Sequence, residues 1–299
     1  MSDDIEALRK DYLAEVTQER RAQPKLSAAA RRALTAKPAE MTEAELDRML
    51  VEVATFEIAA RLLLDILADE EAPAALRLTA LQRIGGAAFQ PVKFAPFHAE
   101  YVERLRELAV SDDKDLRATA LDQLTLMHDE VGQRLVKESL EGTRKPLLPA
   151  ASAARMLARD EHGDAAPLLR ELARTGAPRV REQALRALAV DPESVELLAT
   201  ISSDKTERSA VRELAAMSLK AASPERFADV ARDMVLDESE DDRLRTTALS
   251  AITLTPEAVD ALDADTFGAE LEDVKTATKS RSLQASIDRF TESQAPPPE

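Results

Sequence analysis

The chain has 299 residues, with 56 acids against 40 Lys and Arg, a formal charge of −16, seven Gly, and neither Cys nor Trp. Without cysteine there is no disulfide framework and no thiolate metal site; no run nears the roughly 20 apolar residues of a membrane span; and the negative field disfavours nucleic acid and anionic lipid while favouring basic partners. Abundant Ala and Leu predict an all-α protein. The acidic start MSDDIEALRKDYL, which lacks the order of a signal peptide, predicts a soluble, cytoplasmic one.

Residues 1–54 are expected to form a helical N-terminal cap. Within it Arg20, Arg21, Lys25, Arg31, Arg32 and Lys37 occupy an acid-free window, read as a solvated face beside acidic neighbours. Thr42 followed by Glu45 marks a helix start with a capping box. The acids concentrate in residues 41–72, nine against two bases, and in residues 236–273, twelve against two.

From Leu76 a pattern recurs: LRLTALQRI, LRATALDQL from Leu116, a degenerate PAASAARML from Pro149, VREQALRAL from Val180, VRELAAMSL from Val211 and LRTTALSAI from Leu244. Successive copies start 40, 33, 31, 31 and 33 residues apart. Counting the first residue of each copy as position 0, apolar residues at positions 0, 4, 5 and 8 make one stripe of an α-helix. A second amphipathic helix precedes each later copy: YVERLRELAV, VGQRLVKESL, PLLRELART, SVELLATIS and FADVARDMV. Asp191-Pro192-Glu193, Ser223-Pro224-Glu225 and Thr255-Pro256-Glu257 recur every 32 residues as helix starts, with Asp129-Glu130 and Asp160-Glu161 extending the series backward.

These two-helix units, best seen in PLLRELARTGAPRVREQALRALA (residues 167–189), resemble HEAT repeats, of the short period found in the HEAT-like repeats of bilin lyases. The resemblance implies a right-handed α-solenoid of about six HEAT-like repeats with helical caps, the second helices lining a concave face. The predicted repeats are 56–86, 99–127, 129–159, 164–189, 192–221 and 224–253, within an array at 55–254. Residues 255–290 form a degenerate last pair, and 291–299 a disordered tail. The recurring Arg77, Arg117, Arg181, Arg212 and Arg245 are expected to bond turn acids such as Asp69, Asp112, Asp204 and Asp241, as the family does. The turn TGAPR before Val180 lacks such an acid.

The longer first spacing predicts an inter-repeat loop at residues 87–98, following a helix stop at Gly85-Gly86. Phe89, Phe94, Phe97 and Tyr101 concentrate there. Two readings stand: an aromatic rim that anchors a partner, or a plug between the cap and the array. Polar positions 3, 6 and 7 of the second helices are expected to face the groove: Thr79, Gln82, Arg83, Thr119, Asp122, Gln123, Arg155, Gln183, Arg186, Thr247 and Ser250.

Catalysis finds no constellation in the sequence. His98, His128 and His162 lack the spacing of a metal site, the paired carboxylates sit in acidic runs without apolar surroundings to raise a pKa, and there is no phosphate-binding Gly loop. The expectation is a non-enzymatic scaffold or adaptor without cofactor, binding a protein or peptide on the concave face and aromatic loop. The alternative is a HEAT-like lyase or chaperone that holds a bilin or other cofactor during attachment to a client.

Overall fold

In the computed structural model, residues 28, 32, 33, 35–53, 55–159 and 165–294 are described. Among them there are sixteen α-helices and no strand: α1 (Glu43–Glu52), α2 (Phe56–Ala68), α3 (Ala74–Ala87), α4 (Pro91–Leu108), α5 (Lys114–Leu126), α6 (Glu130–Glu141), α7 (Ala150–Leu157), α8 (Ala166–Thr175), α9 (Pro178–Ala187), α10 (Val195–Ser203), α11 (Ser209–Ala222), α12 (Pro224–Leu236), α13 (Asp242–Thr253), α14 (Pro256–Asp260), α15 (Ala264–Ala277) and α16 (Arg281–Gln294). None of the described helices is long and apolar enough to cross a membrane. The chain divides into two compact units, one ending at Leu124 and the other beginning at Thr125, so that α5 carries the division.

The helix starts follow the side chains that can satisfy orphan N–H groups. At α1 the Glu45 N–H donates to the Thr42 hydroxyl while the Thr42 N–H donates to Glu45 at 2.8 Å, the full capping box. Asp129 accepts from the Gly132 N–H at α6, and Ser223 from the Arg226 N–H at α12. Thr255 departs from the expected role, because its hydroxyl turns back to the Ala251 carbonyl instead. Asp160-Glu161, His162 and the basic window up to Arg31 lie outside the described residues.

Every second helix buries its stripe. Leu76, Ala80, Leu81 and Ile84 on α3, Val180, Ala184, Leu185 and Leu188 on α9 and in the 3₁₀ turn after it, and their counterparts on α5, α11 and α13 are all core residues. On α7 the exception is position 0, where Pro149 sits exposed ahead of the helix. In the second unit, α6 pairs with α7, α8 with α9, α10 with α11 and α12 with α13. The second helices α7, α9, α11 and α13 also pack on one another in sequence, and the first helices α10 and α12 do the same. Residues 255–290 hold three helices, α14 to α16, rather than one pair, and α16 runs through Ser293 and Gln294, within the expected tail. It docks on α13.

The expected loop at residues 87–98 is a helix. Helix α3 continues through Gly85 and Gly86 to Ala87, and after a short turn α4 runs unbroken from Pro91 to Leu108 with Pro96 inside it. Pro91 suits the first helical position. Pro96 forfeits only one backbone bond, near the helix start and on an exposed face. The buried residues of α4 are Phe94, Phe97, Tyr101, Leu105 and Leu108. That spacing of three and four residues is a helical stripe that the prolines and glycines obscured.

Candidate functional site

The extra residues therefore lengthen a first helix, and its rings face inward. Phe94, Phe97 and Tyr101 are 2%, 8% and 0% exposed, whereas Phe89, in the turn before α4, is 81% exposed. Phe94 meets Tyr101 edge to face at 5.4 Å between centroids and Phe97 at 6.3 Å. Helix α2 packs against α4 and adds Arg61, which sits over the Phe97 ring at 5.8 Å and bonds Glu100 at 2.9 Å. The Tyr101 hydroxyl is buried without a hydrogen-bond partner, and burial pushes its pKa upward. As a binding rim, Phe94, Phe97 and Tyr101 are thus corrected to core: their helix packs on α2 within the array, and Phe89 alone of the four presents a surface.

The recurring arginines are structural, but Arg77, Arg181, Arg212 and Arg245 do not bond the acids expected. The Nη2 of Arg77 donates to the Leu67 carbonyl, and the Nε of Arg181, Arg212 and Arg245 to those of Ala173, Ser202 and Val235. Each carbonyl belongs to the last turn of the preceding helix, where a cation is favoured. Arg117 reaches the carbonyls of Ser111 and Asp112. The remaining guanidinium nitrogens of Arg181 and Arg212 grip Glu207 and Glu240, which stand in the turn of the following hairpin, and Arg245 pairs with Asp242. This supplies the acid that TGAPR lacks. Asp204 and Asp241 instead accept from local backbone N–H groups, as does Asp69. Burial, the largest single influence, would raise the Glu240 pKa, but the Arg212 hydrogen bonds, the Asp241 N–H and the charges of Arg212 and Lys205 together hold the carboxyl below its ordinary value.

Of the groove positions, number 7 is misassigned in the second unit. Met156, Ala187, Ser218 and Ala251 occupy it, and all are buried. Each second helix turns this side toward packed neighbours, so only positions 3 and 6, joined by position 10, stay open. In the first unit α1 packs on α3: Glu43 accepts from the Thr79 hydroxyl at 2.8 Å, and Asp47 from Arg83 at 2.9 Å. Gln82 is exposed, while Thr119, Asp122 and Gln123 are half-buried, with the Gln123 amide against Gly85.

What remains is a row on the second unit's helices. On α7 it consists of Ser152, Arg155 and, just after the helix, Arg159; on α9 and its 3₁₀ turn, of Gln183, Arg186 and Val190. On α11 it continues with Leu214, Met217 and Ala221, and on α13 with Thr247, Ser250 and Leu254 at the C-cap. None of the twelve is buried, and Val190 and Leu254 are 83% and 80% exposed. Helix α16 closes this end of the row, placing the Ser286 hydroxyl 3.4 Å from that of Ser250. The sequence pattern contains this row, since position 10 follows from helical geometry as directly as position 6 does.

Among the described residues no group of three or more His, Asp or Glu is placed to hold a metal ion. His98 is exposed on α4, and His128 stands in the turn before α6 with a left-handed φ of 55°. No protein-family model matches the chain, and no curated protein matches it. Among solved structures it is similar to an aminopeptidase A of Legionella pneumophila in complex with aspartic acid, at 13% identity and a TM-score of 0.40, covering 89% of this chain. The chain spans 36% of that protein's length.

Proposed function

We propose that this chain is a non-enzymatic scaffold or adaptor: a right-handed α-solenoid of HEAT-like repeats that holds a partner protein on the open face of its second helices. The observation that carries this reading is the twelve-position row along α7, α9, α11 and α13. Successive second helices present aliphatic and polar side chains there that neither fill the core nor serve the arginine grip. A stacked array offers such a continuous strip, because each hairpin contributes the same register to it.

The test is affinity capture of the tagged native chain beside a Met217→Glu variant, with mass spectrometry of what each retains. Met217 is half-buried outside the core stripe, and a melting curve of the variant checks its fold; the expected outcome is a folded variant that loses a partner the native chain retains. Equal recovery by both, or no partner for either, overturns the proposal.

A further inference from the structure

We infer that the partner segment held on this row is acidic, with aliphatic residues beside its carboxylates, although the charge of the whole chain points to a basic partner. The inference rests on the protein-binding reading above and names the chemistry of the partner.

The chain holds 56 acids among 299 residues, yet the twelve open positions contain three arginines and no acid. Arg155 and Arg186 occupy the same register on helices that pack directly, both exposed, and no carboxylate of the described residues pairs with either. Glu182, one turn before Arg186 on α9, forms no ion pair with it. Elsewhere in this unit Arg170 is engaged by Asp191, Arg226 by Glu196, Arg232 by Glu270 and Arg243 by Glu213, while Arg179, Arg208 and Arg281, also exposed, share the lack of an acid among the described residues but lie off the row. In the same row Arg159 has an interaction of its own.

The cations are confined to one end. Beyond Arg186 the row reads Val190, Leu214, Met217 and Ala221, then the hydroxyls of Thr247 and Ser250, then Leu254. A nucleic acid carries charge at every step and needs cations along its whole track; this row offers them over half its length. A peptide with carboxylates at one end and aliphatic side chains at the other matches both halves, since Arg forks pair with carboxylates and apolar side chains cover Val190, Met217 and Leu254. Neighbouring helix axes lie about 8–10 Å apart, so four second helices span roughly 24–30 Å. An extended segment of about eight to ten residues covers that distance.

The experiment is selection from a random peptide library of about twelve residues against the full chain, followed by binding titrations of the enriched peptides. Enrichment of Asp or Glu beside Leu, Ile or Val is expected. Affinity should fall with added salt and drop by about tenfold or more in the Arg155→Glu/Arg186→Glu double variant, with an unchanged melting curve. Arg155→Gln/Arg186→Gln replaces it if the charge reversal unfolds the protein. Enriched peptides that are basic or neutral, and that depend on Met217 but not on the arginines, overturn the acidic partner and leave the scaffold reading standing. A labelled oligonucleotide that binds through the two arginines while no peptide is enriched overturns both, and so does a library that yields nothing.

Discussion

The two units solve one problem differently. In the first, α2 and α4 meet through bulk: three rings and a Leu pair on an 18-residue helix, with Arg61 laid over Phe97. In the second the three buried rings, Phe227, Phe267 and Phe290, lie toward its C-terminal end, and hairpins of near-equal length are tied by side chains 26 to 32 residues apart: Arg181 to Glu207, Arg212 to Glu240, Arg226 to Glu196, Arg243 to Glu213 and Lys205 to Asp237. Those separations lie at or a few residues under the repeat period of 31 to 33 residues, so each tie joins one hairpin to the next. Where the period holds, the same polar grip is reused; where the spacing stretches to 40 residues, aromatic volume fills the longer contact.

Each arm of that comparison can be broken. Phe94→Ala removes the ring that joins Phe97 to Tyr101 and should cost about 3–5 kcal/mol in denaturant unfolding. A loss under about 1 kcal/mol would mean the rings do not hold α4 to its unit.

Arg212→Met addresses the other arm. It strips a buried carboxylate of its partner and should also cost about 3–5 kcal/mol, most of which Glu240→Leu should restore in the double variant. The linkage has a sign. Since the folded pKa of Glu240 lies below its ordinary 4.5, its contribution is complete above that pH and lost as pH falls through the lower folded value. The acid limb of stability should therefore flatten in Glu240→Gln; an unchanged limb would place the acid sensitivity elsewhere.

Leu185→Ala, in the buried stripe of α9, should cost about 2–5 kcal/mol. Tyr101→Phe deletes a buried hydroxyl that has no partner and should raise stability by about 1 kcal/mol; a loss of that size would reveal a partner for it. The smallest effect belongs to Arg186→Ala, one residue beyond Leu185 and exposed, which should stay within about 0.5 kcal/mol by thermal melting. Equal losses at Leu185 and Arg186 would invert the face assigned to α9.

The hairpins, most of their helix starts and the buried stripe were legible in the sequence, because helical periodicity and capping act within a few residues. Leu76, Ala80, Leu81 and Ile84 are apolar wherever the neighbours lie, and they are buried as the pattern requires. The same local rule even contained the α4 stripe from Phe94 to Leu108, hidden behind Gly85, Gly86, Pro91 and Pro96, whose individual preferences point to a loop. Three outcomes were decided by tertiary structure alone. Arg181 takes its acid from the next hairpin, position 7 is buried where helices of the second unit pack, and Thr79 and Arg83 are engaged by α1. Each depends on which helix arrives from 26 or more residues away, and a single chain segment carries no record of what will be laid against it.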